Sequence, residues 1–345
     1  MPTIDETPAR ALIISPATGS VAARSLITAA RSRETVSNRE IELPMAYRLK
    51  ANEAITDGIK RVTLGEIDKA ETMLNQDGEE RDEGIHEARK SFKKIRAVLR
   101  LVRPSLGATY AAENAWFRDV ARKLSDLRDA QALLESFDKL QNAFPDQANP
   151  EAFADIRAAL DRRRKSLGEN DNDLAKNVAH VREDLQKVRC RVDAWDFKRT
   201  GFAAIGPGLR NTYRRGWQGR VKAYDAPTDE AFHEWRKRVK YHWYHVRLLQ
   251  DLWPDMLKHS RASLKELSDI LGDDHDLVVM KQTIAQIHSD GRDSAACGAF
   301  VALVNQRQQH LRAAARSLGD RIYAEKPKCL HTRFQSYWQT WCSET

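Results

Sequence analysis

Glycine and proline are scarce in this chain of 345 residues, at 16 and 11. Runs that alternate apolar with polar residues are equally rare, so the chain holds little material for sheets and tight turns, and an all-α protein is expected. The four cysteines, Cys190, Cys297, Cys329 and Cys342, stand far apart and none forms C-x-x-C, which argues against a zinc knuckle or a thioredoxin-like centre. They read as free, buried thiols suited to a reducing cytoplasm. No apolar run approaches the roughly 18 residues of a transmembrane helix. Ala11, Leu12, Ile13 and Ile14 make too short a run for a secretory leader, and Pro2, Asp5 and Glu6 precede it in place of a basic patch. A phosphate-cradling G-x-x-x-x-G-K-[ST] loop and a G-x-S-x-G elbow are both missing. Aromatic residues do not interleave with the cations, which gives base stacking little support.

What the chain does have is positive charge gathered into one stretch used twice. The first copy runs His86-Glu87-Ala88-Arg89-Lys90-Ser91-Phe92-Lys93-Lys94-Ile95-Arg96, with Arg100 beyond. The second runs His233-Glu234-Trp235-Arg236-Lys237-Arg238-Val239-Lys240-Tyr241-His242-Trp243, with Arg247 beyond. At a constant offset of 147 the His, the Glu, an Arg, two Lys and the later Arg coincide, and Asp126 and Asp129 fall on Asp273 and Asp276. A repeat of this length predicts a duplicated helical half, with a first half of about 45–195 and a second of about 196–342. At about 100° per residue, His86, Arg89, Lys90, Lys93 and Arg100 share one face of a helix. Ala88, Ile95 and Val102 fall on the other side, as do Trp235 and Leu249 behind His233, Arg236, Lys237, Lys240 and Arg247. Each helix is thus expected to have a dry back and a cationic front.

Residues 86–100 hold six Lys or Arg and residues 233–247 hold five, with one Glu in each. These stretches alone amount to +9 in a chain of net charge +8. A solvated helix face would mix signs at i,i+4, as the segment Arg118, Asp119, Arg122, Lys123 does, and the two stretches do not read that way. Cations held this close repel one another by roughly 1–3 kcal/mol at an effective dielectric near 20, so such faces favour a bound anion.

The duplicated H-x-x-R-K-x-x-K pattern resembles the CHAD domain, the conserved histidine α-helical domain. Leu271-Gly272 with Asp276, Tyr244 with Leu248-Leu249, and Lys326-Pro327-Lys328 extend the likeness over about residues 45–342. The resemblance implies two pseudo-symmetric four-helix bundles with a basic groove or pore between them, and binding of inorganic polyphosphate at polyphosphate granules.

Along the chain, residues 1–44 read as a flexible extension. A first helix is expected over about 46–74, with Ile55, Ile59, Val62 and Ile67 inward. The first motif helix should end near Pro104 and Gly107, and one long helix should follow through Trp116, Val120, Leu124 and Leu133 to Phe144. Gly201, Gly206-Pro207-Gly208 and Gly216 suggest an interrupted segment. Thr228 is an expected N-cap for the second motif helix. Gly272-Asp273-Asp274-His275-Asp276 reads as a turn or cap more readily than as a metal site, because its counterpart in the first half includes Arg128.

The expected ligand set is His86, Arg89, Lys90, Lys93, Arg100, His233, Arg236, Lys237, Lys240 and Arg247. The arginines suit bidentate contact with phosphate oxygens and the lysines act as point charges. No cofactor, metal or catalytic constellation is expected, since the basic faces lack the carboxylates that hold Mg²⁺ in phosphoryl chemistry. The expected role is non-enzymatic binding of polyphosphate by a cytoplasmic protein at granules, with granule proteins as further partners and nucleic acid as a weaker competitor. The alternatives are a nucleic-acid binder, an enzyme acting on polyphosphate or nucleotides, and a scaffold for acidic proteins.

Overall fold

A computed structural model describes residues 47–124, 126–147, 151, 153–169, 171–287 and 295–344. Among these residues there are eleven α-helices and no strand, as an all-α fold requires. Residues 1–44 lie outside the described residues, and so does the expectation placed on them. Among the described residues no helix is long and apolar enough to cross a membrane.

Helix α1 (Ile55–Met73) leads through a 3-10 turn into α2 (Arg81–Leu106), the first motif helix. Then come α3 (Thr109–Lys123), α4 (Asp126–Ala143), α5 (Ala154–Glu169) and α6 (Asp171–Asp193). The later part has α7 (Gly201–Asp225), the second motif helix α8 (Asp229–Leu248), α9 (Pro254–Ile287), α10 (Ala295–Ile322) and α11 (Pro327–Ser343). Thr228 caps α8 as its sequence position suggests: its hydroxyl accepts from the Ala231 N–H at 3.1 Å. Pro254 and Pro327 open α9 and α11, where a missing N–H leaves no bond unmade.

Several sequence expectations give way. The stretch read as one helix from Trp116 to Phe144 is two, α3 and α4. The segment read as interrupted by glycine and Pro207 is the continuous 25-residue helix α7. Its glycines serve packing. A Cβ on Gly208 would collide with the Leu101 carbonyl of α2, and one on Gly216 with the Tyr323 hydroxyl, so only glycine allows these approaches. The Gly272–Asp276 run is neither turn nor cap; it lies inside the 34-residue α9. The cysteines form no disulfide, but Cys190, Cys329 and Cys342 are exposed and Cys297 is half-buried, so they are not core thiols.

Two apolar clusters hold the chain together. The larger joins Ile59, Ile67, Phe92, Val98 and Phe117 from the first half with Leu209, Trp235, Val246 and Leu267 from the second. The smaller joins Phe137, Phe153 and Leu160 with Met280, Phe300 and Val304. Each cluster draws on helices from both sides of residue 195, so the core is not divided into one bundle per half. Ile55, Ile59, Val62 and Ile67 of α1 are all buried, in line with their helical spacing.

Candidate functional site

The backs of the two motif helices are dry. Ala88, Ile95 and Val102 of α2 and Trp235 of α8 have no exposed surface. This fixes the rotation of each helix and sends His86, Arg89, Lys90 and Lys93, and likewise His233, Arg236, Lys237 and Lys240, to the partly exposed faces.

Three of these cations line one cavity of about 260 Å³: Arg89 and Lys93 from α2 and Arg236 from α8. Ala132 and Leu133 of α4 and His275, Asp276 and Val279 of α9 complete its wall. Lys240 of α8 and Lys90 of α2 lie close enough to act on each other electrostatically. Burial is the main cause that pushes the Lys240 ammonium down to about 8, with Arg236 and Lys90 adding repulsion and Asp269 and Asp276 opposing it. Cations of α2 and α8 therefore sense one another directly. Arg236 is incompletely compensated: its Nε is buried and, among the described residues, has no hydrogen-bond partner. Gly272 brings α9 close here, since a Cβ at that position would lie 3.7 Å from this nitrogen.

His233 Nδ1 lies 3.1 Å from His275 Nδ1, with ring centroids 4.1 Å apart, so one imidazole N–H donates to the bare nitrogen of the other. Burial, then Lys237 and Arg236, lower the His233 pKa. Burial and Arg236 push His275 down to about 3. Both rings are neutral at pH 7. Burial raises the Asp276 carboxyl, against the pull of Arg236, Lys139 and Lys240.

The remaining members of the expected set are held in other ways. Lys90 is paired with Glu87, which also takes Lys69 at 3.2 Å. At the same step of the second copy Lys237 is paired with Glu234, which takes Arg238 at 3.0 Å. The stretches thus do mix signs through the single Glu of each copy, at i,i+3 in both and also at i,i+4 in the second. Arg100 lines a different, smaller pocket with Arg103, Arg215 and Arg238. Its guanidinium lies 4.0 Å from the Tyr241 ring centroid and donates to Asn114 Oδ1 at 2.5 Å. Arg247 sits 6.0 Å from the Tyr47 ring centroid. His86 is half-buried on α2.

Lys94, counted among the six cations of the first copy, is in the core. Its ammonium donates to Glu66 at 2.9 Å and both residues are 6% exposed. Sequence reading took His275 and Asp276 as part of a turn or cap and passed over Lys139. The Gly272–Asp276 run proves to be a junction. Asp273 accepts from Lys139 of α4 at 2.9 Å. Asp274 accepts from Arg312 at 2.8 Å and Gln308 at 3.2 Å on α10. His275 turns to α8. The offset that placed Asp129 on Asp276 was the one available signal for this wall. Among the described residues no group of three or more His, Cys, Asp or Glu is placed to hold a metal ion.

The arrangement offers convergent cations, one with an unsatisfied donor, in a site with an apolar side and a neutral histidine pair. Such a site can bind a polyanion through charge-assisted hydrogen bonds. The model of the CHAD domain matches residues 63–285. The fold is similar to the crystal structure of the CHAD domain from the plant Ricinus communis, with a TM-score of 0.51 and 14% identity over 79% of this chain and 93% of that one. It is also similar to PptA from Streptomyces chartreusis, with a TM-score of 0.50 and 15% identity over 79% of this chain and all of the other. No curated protein matches the chain. With its helical architecture and its two H-x-x-R-K-x-x-K helices, the chain belongs to the CHAD-domain family.

Proposed function

We propose that this protein binds inorganic polyphosphate non-covalently, without turning it over, at the cavity where α2 meets α8. The observation that carries the reading is the meeting of Arg89 and Lys93 with Arg236, beside a Lys240 whose ammonium is destabilised first by burial and then by Arg236 and Lys90. A linear phosphate polymer supplies about one negative charge per phosphorus and has no bases to accommodate. Its oxygens would take the unpaired Arg236 Nε–H, and its charge would return Lys240 to the ammonium form. Of the ten residues His86, Arg89, Lys90, Lys93, Arg100, His233, Arg236, Lys237, Lys240 and Arg247, seven then divide by role. Arg89, Lys93, Arg236 and Lys240 grip the polymer. Lys90 and Lys237, already paired with Glu87 and Glu234, contribute less. Arg100 extends the basic surface past Tyr241. In a cell this affinity would bring the protein to polyphosphate granules in the cytoplasm, where it would join or scaffold other granule proteins.

Competition tests the proposal. Long-chain polyphosphate should displace labelled single-stranded DNA or RNA at far lower concentration than the reverse, at matched phosphate and salt. Equal displacement in both directions would make the site a general phosphate-backbone binder. Phosphate release on incubation with Mg²⁺ or Mn²⁺ would make the protein an enzyme instead.

A further inference from the structure

A second cavity, of about 520 Å³, lies away from the motif cations, between the back of α8 and helices α7, α9, α10 and α11. His242 lines it and sits nine residues beyond His233, about 180° around the same helix. His242 is only 3% exposed, and among the described residues its Nδ1 has no hydrogen-bond partner. Buried polar atoms are nearly always satisfied, so an unsatisfied one on a residue that lines a cavity points to a group that enters from outside. Most other polar groups of the wall are occupied, the half-exposed Ser263 hydroxyl excepted. The Tyr213 hydroxyl donates to the Ile322 and Glu325 carbonyls at 3.1 and 3.0 Å. Arg333 is paired with Glu325, and Ser260 donates to the Met256 carbonyl at 3.2 Å. That leaves the exposed Arg321 at the rim as the uncompensated charge of the lining. Val246, Leu264, Leu330 and Phe334 supply an apolar wall. Small-molecule sites are commonly clefts of this size.

We infer that this cavity binds a small organic monoanion: a hydroxy- or oxo-carboxylic acid with an aryl or branched-alkyl body. The body lies against Val246, Leu264 and Phe334, the carboxylate meets Arg321, and the hydroxyl or carbonyl oxygen completes the hydrogen bonding of His242 Nδ1. Polyphosphate does not fit this chemistry, because the wall is half apolar and carries one spare positive charge.

Isothermal titration of the full chain with 3-phenyllactate tests the assignment, with 3-phenylpropionate (no hydroxyl) and 1-phenyl-2-propanol (no carboxylate) as matched probes. Saturable binding of one 3-phenyllactate per chain is expected, weakened by at least about tenfold on loss of either group. Arg321→Glu, at an exposed position, should weaken 3-phenyllactate by a similar factor and leave the alcohol unchanged. Ser263→Trp, which fills the cavity from its half-exposed side, should abolish binding of all three. His242→Phe, which keeps an aromatic ring against Tyr213, should reduce 3-phenyllactate to the affinity of 3-phenylpropionate. Absence of saturable binding below about 10 mM, or binding that survives Ser263→Trp, would overturn the proposal. Arg236→Glu should leave 3-phenyllactate binding unchanged, which separates this site from the polyphosphate site.

Discussion

Helices α2 and α8 present the same front and opposite backs. Both fronts carry His, Arg, Lys and Lys at matched steps, and in both a Glu pairs with the first Lys. Behind them the chemistry diverges. Where α2 buries Ile95 and Val98, the matched places of α8 hold His242 and His245, also buried. Where α2 buries Lys94 against Glu66, α8 carries Tyr241, which stacks on Arg100 of α2. A surface pattern has thus been kept on two differently built supports. The pattern is therefore not a by-product of either core. The difference also loads the fronts unequally: Arg236 and Lys240 on α8 are the cations with an unpaired donor or a displaced pKa.

Breaking the back of α2 should produce the largest effect. Lys94→Met leaves the buried Glu66 carboxylate without its partner and should destabilise the fold by about 3–5 kcal/mol, measured by denaturant unfolding. Polyphosphate affinity of the folded fraction should not change. A loss of affinity in that fraction would place Lys94 in the binding front after all.

The back of α8 should instead make the protein sensitive to acid. Burial pushes His242 down to about 3 and His245 down to about 4, below the ordinary value of 6.5. The unfolded chain binds protons that the folded chain refuses, so this stability is complete above about pH 6.5 and is lost as pH falls toward 4. Each such group adds a slope of up to about 1.4 kcal/mol per pH unit between roughly pH 6 and 4, and His275 on α9 adds a third share. His245→Val, which copies the matched residue of α2, should remove its share, about a third of the slope, although it also removes the 2.8 Å hydrogen bond to the Ala97 carbonyl. Urea titrations at a series of pH values would show it.

The fronts are compared by charge reversal across the cavity. Arg89→Glu with Arg236→Glu should weaken polyphosphate binding by at least about a hundredfold, or about 2.7 kcal/mol, with helicity kept. Of the single variants, Arg236→Glu should cost more, since Arg236 is the less compensated partner. Equal losses would remove the asymmetry drawn here.

The smallest effect is on proton linkage. Lys240 starts near 8 and a bound polyanion raises it, so binding takes up a proton and affinity falls as pH rises from about 8 to 10. The fall is at most about tenfold per pH unit, or about 1.4 kcal/mol. Lys240→Arg, whose charge does not titrate in this range, should flatten the profile.

The fold class, the apolar faces of α1, α2 and α8, the Thr228 cap and the family were legible in the sequence because each is a local pattern with a fixed period or position. What was hidden depends on partners distant along the chain. Nothing near Gly208 announces Leu101, so a packing glycine in α7 looked like a helix break. Lys94 looked like its neighbours, because the carboxylate that draws it inward lies on α1. The Gly272–Asp276 run looked like a turn, though Lys139, Arg312 and His233 take its side chains and leave the backbone helical. The cationic positions were predicted from spacing. Which of them face one cavity and which stand apart, as Arg100 does, followed from tertiary packing.

The central claim is that cations of both copies hold the same polyanion, and the salt dependence of binding tests it most directly. Affinity of size-defined polyphosphate would be measured across a salt series for the wild type, Arg89→Gln, Arg236→Gln and the double variant. Each neutralised contact should make the slope of log K against log salt shallower by about 0.7, and the double variant by about twice that. A double variant with the wild-type slope would contradict the account.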